Sequence, residues 1–311
     1  MQFLWLFLKG IAMGAADVVP GVSGGTIAFV TGIYDTLLGS IRKVDAKAVK
    51  LLFSEGPAAA WRYINGTFLL VLGSGILVAL LSLAKGLHYL LIHYPIWLWA
   101  FFFGLIIASV FHVGREITQW NPQRMVLLVL GALIAGGISA ASPTSVEATP
   151  LIVFLAGSVA ICAMILPGIS GSFILLLMGL YEPILGALKS FDLAIMALFG
   201  AGAVIGLMSF SRFLTWLLAG WKEATFAVLT GFMVGSLVKV WPWKETLTTR
   251  INSKGETVPV NQMNVLPDMG TDLMLAILLM IAGAALVLGL EWIAARGNSD
   301  SVDLDEKKVK E

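Results

Sequence analysis

A short helix-breaking motif occurs twice in this chain, each time within apolar sequence. The first copy reads Pro-Gly-Val-Ser-Gly from Pro20, and the second reads Pro-Gly-Ile-Ser-Gly from Pro167. At the same distance downstream, each copy is followed by a Gly-x-Tyr-acid sequence, which places Asp35 and Glu182 in equivalent positions. Because Pro and Gly interrupt helices, paired interruptions in two halves of an apolar chain are typical of a transporter's central binding site.

The composition around these motifs indicates a polytopic membrane protein. The 311-residue chain is 58% hydrophobic and only 13% charged, whereas soluble domains carry about 25% charged residues. Several apolar runs reach the roughly 20 residues that span a bilayer. The net charge of +1 and the lack of a basic stripe predict no nucleic-acid partner. Cys162 is the single cysteine, so a disulfide within the chain is excluded.

The hydrophobic pattern predicts an all-α integral membrane protein made of two repeats, each a re-entrant helical hairpin followed by three transmembrane helices. We expect a first repeat over 1–141, with its hairpin at 3–41 and its spans at about 66–87, 95–113 and 125–141. We expect a second repeat over 151–293, with its hairpin at 151–189 and its spans at about 193–214, 224–240 and 273–293. The polar segment 296–311 is predicted to be a cytoplasmic tail.

Similarity between the halves continues beyond the hairpins, since 73–75 and 104–109 resemble 200–202 and 231–236. The number of crossings per half is odd whether the hairpins are re-entrant or span fully, which predicts inverted topology. Basic residues crowd the loop after the first hairpin, so the positive-inside rule places both termini in the cytoplasm. The loop 241–270 would then be external, although it contains Lys244, Arg250 and Lys254.

The duplicated motif can form a site for an anion. A helix that begins after Pro-Gly-x-Ser-Gly presents free N–H groups and the positive end of its dipole, and the serine adds a hydroxyl donor. Two such ends meeting near the midplane would attract phosphate or carboxylate. The predicted site residues are Pro20, Gly21, Ser23, Gly24, Gly25, Pro167, Gly168, Ser170, Gly171 and Ser172. The alternative is a proline kink with small residues that allow close helix packing.

Charged residues near the membrane supply further candidates, because intramembrane charges are costly. Lys85 aligns with Arg212 near the end of equivalent spans, and these cations, together with Arg115, are predicted partners of the phosphate. The alternative for the aligned pair is snorkelling to lipid headgroups. Four acids are predicted to couple transport to a proton or sodium ion: Asp17, Glu116, Asp35 and Glu182. Asp17 could instead cap the interrupted helix, and Arg115-Glu116 could be an interfacial loop.

The histidines lack the spacing of metal ligands, so no metal and no cofactor are predicted. The chain also has no Ser/His/Asp grouping, Walker loop or dinucleotide fingerprint. Nothing in the residues therefore indicates an enzyme.

Several sequences together resemble one bacterial family: the repeated motif, its Gly-Ile-Tyr-Asp and Gly-Leu-Tyr-Glu followers, Gly-Phe-Met-Val-Gly-Ser from Gly231, and Trp-Pro-Trp from Trp241. The chain is similar, up to about Arg296, to the polyprenyl-phosphate translocases, formerly a bacterial membrane domain of unknown function. The resemblance implies a lipid flippase of the bacterial cytoplasmic (inner) membrane. Such a protein would return undecaprenyl phosphate from the outer to the inner leaflet for carrier-lipid recycling in peptidoglycan and cell-wall biogenesis.

Two other classes share this architecture. Undecaprenyl-pyrophosphate phosphatases carry Pro-Gly-x-Ser-Arg, but here Gly24 and Gly171 stand at the arginine position, and paired glutamates are missing near either motif. Without a charged clamp and a general base, little would stabilise a phosphoryl transition state, so hydrolysis is not expected. A small-anion or solute secondary transporter remains the alternative. Oligomeric state and prenyl chain length are left open.

Overall fold

The computed structural model describes residues 2–19, 22–141, 146–251, 257–267, 270 and 272–289. The helices of the first half are α1 (Gln2–Val18), α2 (Gly24–Val30), α3 (Tyr34–Arg42), α4 (Ala46–Ser54), α5 (Pro57–Tyr63), α6 (Gly66–His93), α7 (Pro95–Gly114) and α8 (Pro122–Ala140). The elements of the second half are α9 (Pro150–Ile165), α10 (Gly171–Leu177), α11 (Tyr181–Ser190), α12 (Leu193–Gly220), α13 (Lys222–Val240), β1 (Lys244–Ile251), β2 (Thr257–Asn264) and α14 (Asp272–Gly289).

Within the described residues, six helices are long and apolar enough to cross a membrane: α6, α7, α8, α12, α13 and α14. The chain is therefore a helical multi-pass membrane protein, as its composition predicts. The loops differ from the expectation. The segment after the first hairpin forms α4 and α5, and part of the loop 241–270 forms an antiparallel hairpin of β1 and β2. The predicted tail at 296–311 lies outside the described residues.

Both predicted hairpins consist of three helices with two interruptions. In the second hairpin, α9 is followed by the Pro-Gly motif, α10, a break at Gly179, and α11, which is bent by 113° relative to α10. The first hairpin has the same order in α1, α2 and α3, with Gly32 at the second break. Gly32 and Gly179 have φ values of +69° and +71°. A Cβ disfavours this left-handed conformation, so glycine ends the short helix in each half.

Pairs of glycines allow the long helices to pack backbone to backbone. A Cβ at Gly75 or Gly202 would collide with the carbonyl oxygen of Phe7 or Phe154, which joins α1 to α6 and α9 to α12. The same arrangement joins α7 to α14 at Gly104 and α8 to α13 at Gly231. Such small-residue contacts are typical of helix association in membranes. The contact of α1 with α6 thus resembles that of α9 with α12, and the contact of α7 with α14 resembles that of α13 with α8.

These contacts predict a stability difference between two glycines of α12. Gly202→Ala is expected to lower the melting temperature in detergent, because overpacking a close backbone contact costs about 1–3 kcal/mol. At Gly200 a Cβ would meet nothing within 4 Å, so Gly200→Ala is the matched control. It should match or exceed wild-type stability because alanine favours helix. Equal melting temperatures for the two variants would contradict close packing of α9 against α12.

Candidate functional site

The two Pro-Gly interruptions are bonded directly to each other. The hydroxyl of Ser23, before α2, donates to the carbonyl oxygens of Met164 and Leu166 at 2.8 and 3.0 Å. In return, the backbone N–H of Gly168 donates to the hydroxyl of Thr26 at 3.1 Å. These atoms belong to opposite halves of the chain, so the tertiary fold brings the two predicted tips together.

The contact between the tips is buried and close. Ser23, Thr26 and Ser170 are 0%, 1% and 3% exposed. A Cβ at Gly25 would overlap the carbonyl oxygen of Ile165, so only glycine fits where α2 passes the end of α9. The hydroxyl of Tyr34 donates to that same carbonyl oxygen at 3.2 Å. Pro167 and Gly168 are also buried, whereas Pro20 and Gly21 lie outside the described residues.

At the first tip the helix N-terminus already has acceptors from the protein. The carboxylate of Asp17 accepts the N–H of Gly24 at 2.7 Å, and the hydroxyl of Ser23 accepts the N–H of Gly25 at 3.0 Å. Asp17 therefore caps α2, which is the second of the two roles that its sequence position allowed. A negative group at this position is stabilised by the helix dipole.

The second tip lacks this acidic cap. Met164 stands at the position that corresponds to Asp17, and its side chain lies beside Gly171. Ser170 precedes α10 without a side-chain capping bond, and its hydroxyl lies 2.9 Å from that of Ser172. The first turn of α10 contains no acid. The positive end of α10 thus faces two hydroxyl groups rather than a carboxylate.

A cavity of about 160 Å³ opens beside the first hairpin and is lined by residues that include Tyr34, Asp35, His112, Glu116 and Lys222. An adjoining hollow of about 320 Å³ shares Asp35 and Lys222. The ammonium group of Lys222 lies 3.9 Å from the Glu116 carboxylate. The structure therefore gathers two of the predicted coupling acids in one place. It also adds Lys222, which the sequence analysis did not select.

The remaining predicted residues belong to other helices or to their ends. Arg212 is exposed on α12 and acts on Asp45, whose pKa is lowered chiefly by the N–H of Ala48 and to a smaller extent by Arg212. Arg115 is exposed at the end of α7, and Glu182 is partly exposed in the first turn of α11. Lys85 lies in α6, but its side chain is outside the described part.

Sequence reasoning also did not select Lys239 and Lys244, which lie at and just after the C-terminal end of α13. The ammonium group of Lys239 lies 4.3 Å from the ring of Phe173, which belongs to α10. That of Lys244 lies 4.0 Å from the ring of Trp99. One signal was available, because Lys239 aligns with His112 when 231–236 are matched to 104–109.

Comparisons with known proteins agree with the predicted family. The chain matches the family described as VCA0040-like, undecaprenyl phosphate translocase-like, over residues 13–258. It is 52% identical over 303 residues to a polyprenyl-phosphate transporter of Vibrio cholerae, covering 95% of this chain and 98% of that protein. It is 35% identical over 260 residues to a polyprenyl-phosphate transporter of Staphylococcus aureus, covering 78% and 87%. No solved structure matches. This chain belongs to the undecaprenyl phosphate translocase-like family, which confirms the resemblance found in its motifs.

Proposed function

We propose that this protein transports a polyprenyl phosphate across the bacterial cytoplasmic membrane. In this proposal it returns undecaprenyl phosphate from the outer to the inner leaflet for carrier-lipid recycling. The names of both relatives support the substrate class. The observation that carries the proposal is the second tip, where a buried helix start with two serine hydroxyls lacks the acidic cap found at the first tip.

The phosphate group would be held at this second tip. A phosphomonoester carries about −1.5 to −2 charge near neutral pH and offers three strong acceptor oxygens. The hydroxyls of Ser170 and Ser172 and the backbone N–H of Gly171 are the donors available at the start of α10. At the first tip, Ser23 would instead hold the two halves together through its bonds to Met164 and Leu166, while the N–H of Gly24 is already bonded to Asp17.

Alternating access between two inverted repeats is the motion that we propose. Helix pairs at equivalent sequence positions, both within and between the halves, pack through equivalent glycines, which supports this interpretation. The cavity beside Lys222 would be the cytoplasmic exit, because the positive-inside rule places the ends of α7 and α12 on that side. Both termini would then be cytoplasmic.

Inward movement of a phosphate works against the membrane potential. Each unit of negative charge costs about 2.3 kcal/mol per 100 mV, so a proton or cation must travel with the lipid or consumption inside must draw it across. Asp17 is the proposed coupling group, because its carboxylate occupies the helix start next to the junction of the tips. Protonation of Asp17 would leave the dipole of α2 without its anion and so favour a second anion nearby.

Replacement of Asp17 by asparagine tests this role. Asparagine keeps an oxygen for the N–H of Gly24 but cannot ionise, so Asp17→Asn is expected to fold normally and to lose most of the pH dependence of transport. Asp192 also caps a helix, since it accepts the N–H groups of Ala194 and Ile195 from an exposed position. Asp192→Asn therefore serves as the control. A pH profile of Asp17→Asn identical to that of wild type would remove Asp17 from the mechanism.

The proposed function is tested in proteoliposomes that contain labelled undecaprenyl phosphate in one leaflet. We expect the protein to move the label across the bilayer, and to release no phosphate from undecaprenyl pyrophosphate in the same vesicles. Phosphate release would establish hydrolysis and overturn the proposal. Uptake of a small anion without lipid movement would establish the alternative secondary transporter.

A further inference from the structure

Lys239 and Lys244 lie at the end of the molecule opposite the open cavity. The cavity includes Lys222, the first residue of α13, whereas Lys239 is in the last turn of that helix. α13 has 19 residues, which corresponds to about 28 Å at about 1.5 Å per residue. The two lysines therefore mark a second charged region on the far side of the membrane from the cavity.

Both ammonium groups are held among aromatic rings rather than by carboxylates. Lys239 faces the ring of Phe173, and Lys244 faces that of Trp99 while donating to the carbonyl oxygen of Lys239 at 2.5 Å. Within the described part of the chain, neither lysine forms an ion pair. Burial, and to a smaller extent the charge of Lys239, lowers the pKa of Lys244 to about 7. A nearby anion would favour the charged forms of both lysines, so this region is suited to a negatively charged ligand.

The stability of the fold accounts for the presence of Lys244 better than for that of Lys239. Lys244 bonds to a carbonyl at the C-terminal end of α13, where a cation interacts favourably with the helix dipole. Lys239 has an aromatic ring as its neighbour, and a cation–π contact contributes only about 0.5–2 kcal/mol. A lysine within a membrane span costs about 2.5–3.5 kcal/mol at the helix centre, so this contact offsets only part of such a cost. A contribution to the stability of the folded protein therefore does not account for a lysine at position 239.

The position of Lys239 relates it to the proposed phosphate site. Phe173 lies in the first turn of α10, directly after Ser172. In the repeat, Lys239 corresponds to His112 and Trp99 corresponds to Phe226, and both counterparts line the open cavity. At the lysine end, the ring of Trp241 instead packs against those of Phe103 and Trp243. The same helices thus frame an open region at one end and a closed, more basic region at the other.

We propose that Lys239 and Lys244 form an entry site that binds the phosphate group of a prenyl phosphate before it reaches the start of α10. This inference rests on the proposed function and adds to it a cationic site at the end opposite the cavity. With the orientation proposed above, the site faces the outer leaflet. The apolar tail would remain in the lipid.

Direct binding to the purified protein tests the entry site. The probes are farnesyl phosphate, inorganic phosphate and uncharged farnesol, measured by titration calorimetry in nanodiscs. Lys239→Gln and Lys244→Gln are each expected to weaken farnesyl phosphate binding about tenfold, because each removes one charge-assisted hydrogen bond. Lys239→Arg should largely retain binding. Lys50→Gln is the control, since Lys50 is exposed on α4.

If Lys239 and Lys244 have a purely structural role, the affinity for farnesyl phosphate and the melting temperature should change in the opposite way. If the lysines only stabilise the fold, the glutamine variants will lower the melting temperature and leave the affinity of the folded protein unchanged, which would overturn the proposal. We expect the melting temperature of Lys239→Gln to stay the same or rise, because the repulsion between the two cations is removed. Inorganic phosphate that binds as tightly as farnesyl phosphate would also overturn the lipid entry site.

The experiment distinguishes this inference from the proposed function. Wild-type protein that moves no polyprenyl phosphate in proteoliposomes would refute the function itself. A different outcome would refute only the entry site: the wild-type protein transports, and the Lys239→Gln and Lys244→Gln variants bind and transport at wild-type levels.

Discussion

Replacing Gly25 with alanine is expected to abolish transport and to lower the melting temperature by several degrees. The new Cβ would overlap the carbonyl oxygens of Ile165 and Met164. These are backbone atoms, and the second of them also accepts the hydroxyl of Ser23, so neither can rotate away. Overpacking of this kind costs about 1–3 kcal/mol, and here the strain falls on the contact that joins the two halves.

Gly39 provides the matched control for this prediction. It lies in α3, where a Cβ would meet nothing within 4 Å, so Gly39→Ala should transport at the wild-type rate. The initial rate in proteoliposomes and the melting temperature in detergent are measured for both variants. A Gly25→Ala protein that equals Gly39→Ala in both measurements would show that close contact of the tips is unnecessary for function.

The second large effect is expected at the start of α10. Ser170→Ala combined with Ser172→Ala removes both hydroxyl groups that are proposed to bind the phosphate. A hydrogen bond to a charged group contributes about 1.5–3 kcal/mol, which corresponds to a loss of about tenfold or more in affinity per hydroxyl. The double variant should therefore bind farnesyl phosphate about a hundredfold more weakly while keeping its fold.

Two further variants show whether this loss is specific. Ser190 is exposed near the end of α11, and among the described residues its hydroxyl bonds to carbonyls of its own helix, so Ser190→Ala should leave affinity unchanged. Ser23→Ala should instead reduce stability, because that hydroxyl joins the two tips. Wild-type affinity in the Ser170/Ser172 double variant would indicate that the second motif serves helix packing and does not bind the phosphate.

The sequence alone determined where the helices are interrupted and which positions correspond. The reason is local: proline lacks an N–H, glycine favours turns, and a span needs a long apolar run. These rules led directly to Ser23, Ser170 and the Gly-x-Tyr-acid followers as equivalent positions. The strands β1 and β2 were missed, although their threonines and valines favour strand. The polar composition of 241–270 by itself predicts only a loop.

The contacts that these residues make depend on how the helices pack in three dimensions. Ser23 meets carbonyls of the other half, Asp17 caps α2, and Lys239 reaches a ring of α10. The contacts of Ser23 and Lys239 join residues that are distant in the chain, and no local propensity encodes them, whereas the cap by Asp17 is one of the two roles that its sequence position allows. The same motif therefore has different hydrogen-bond partners in the two halves. At the first tip a carboxylate occupies the helix start, whereas at the second tip a methionine stands in its place and the helix start lacks an acidic cap.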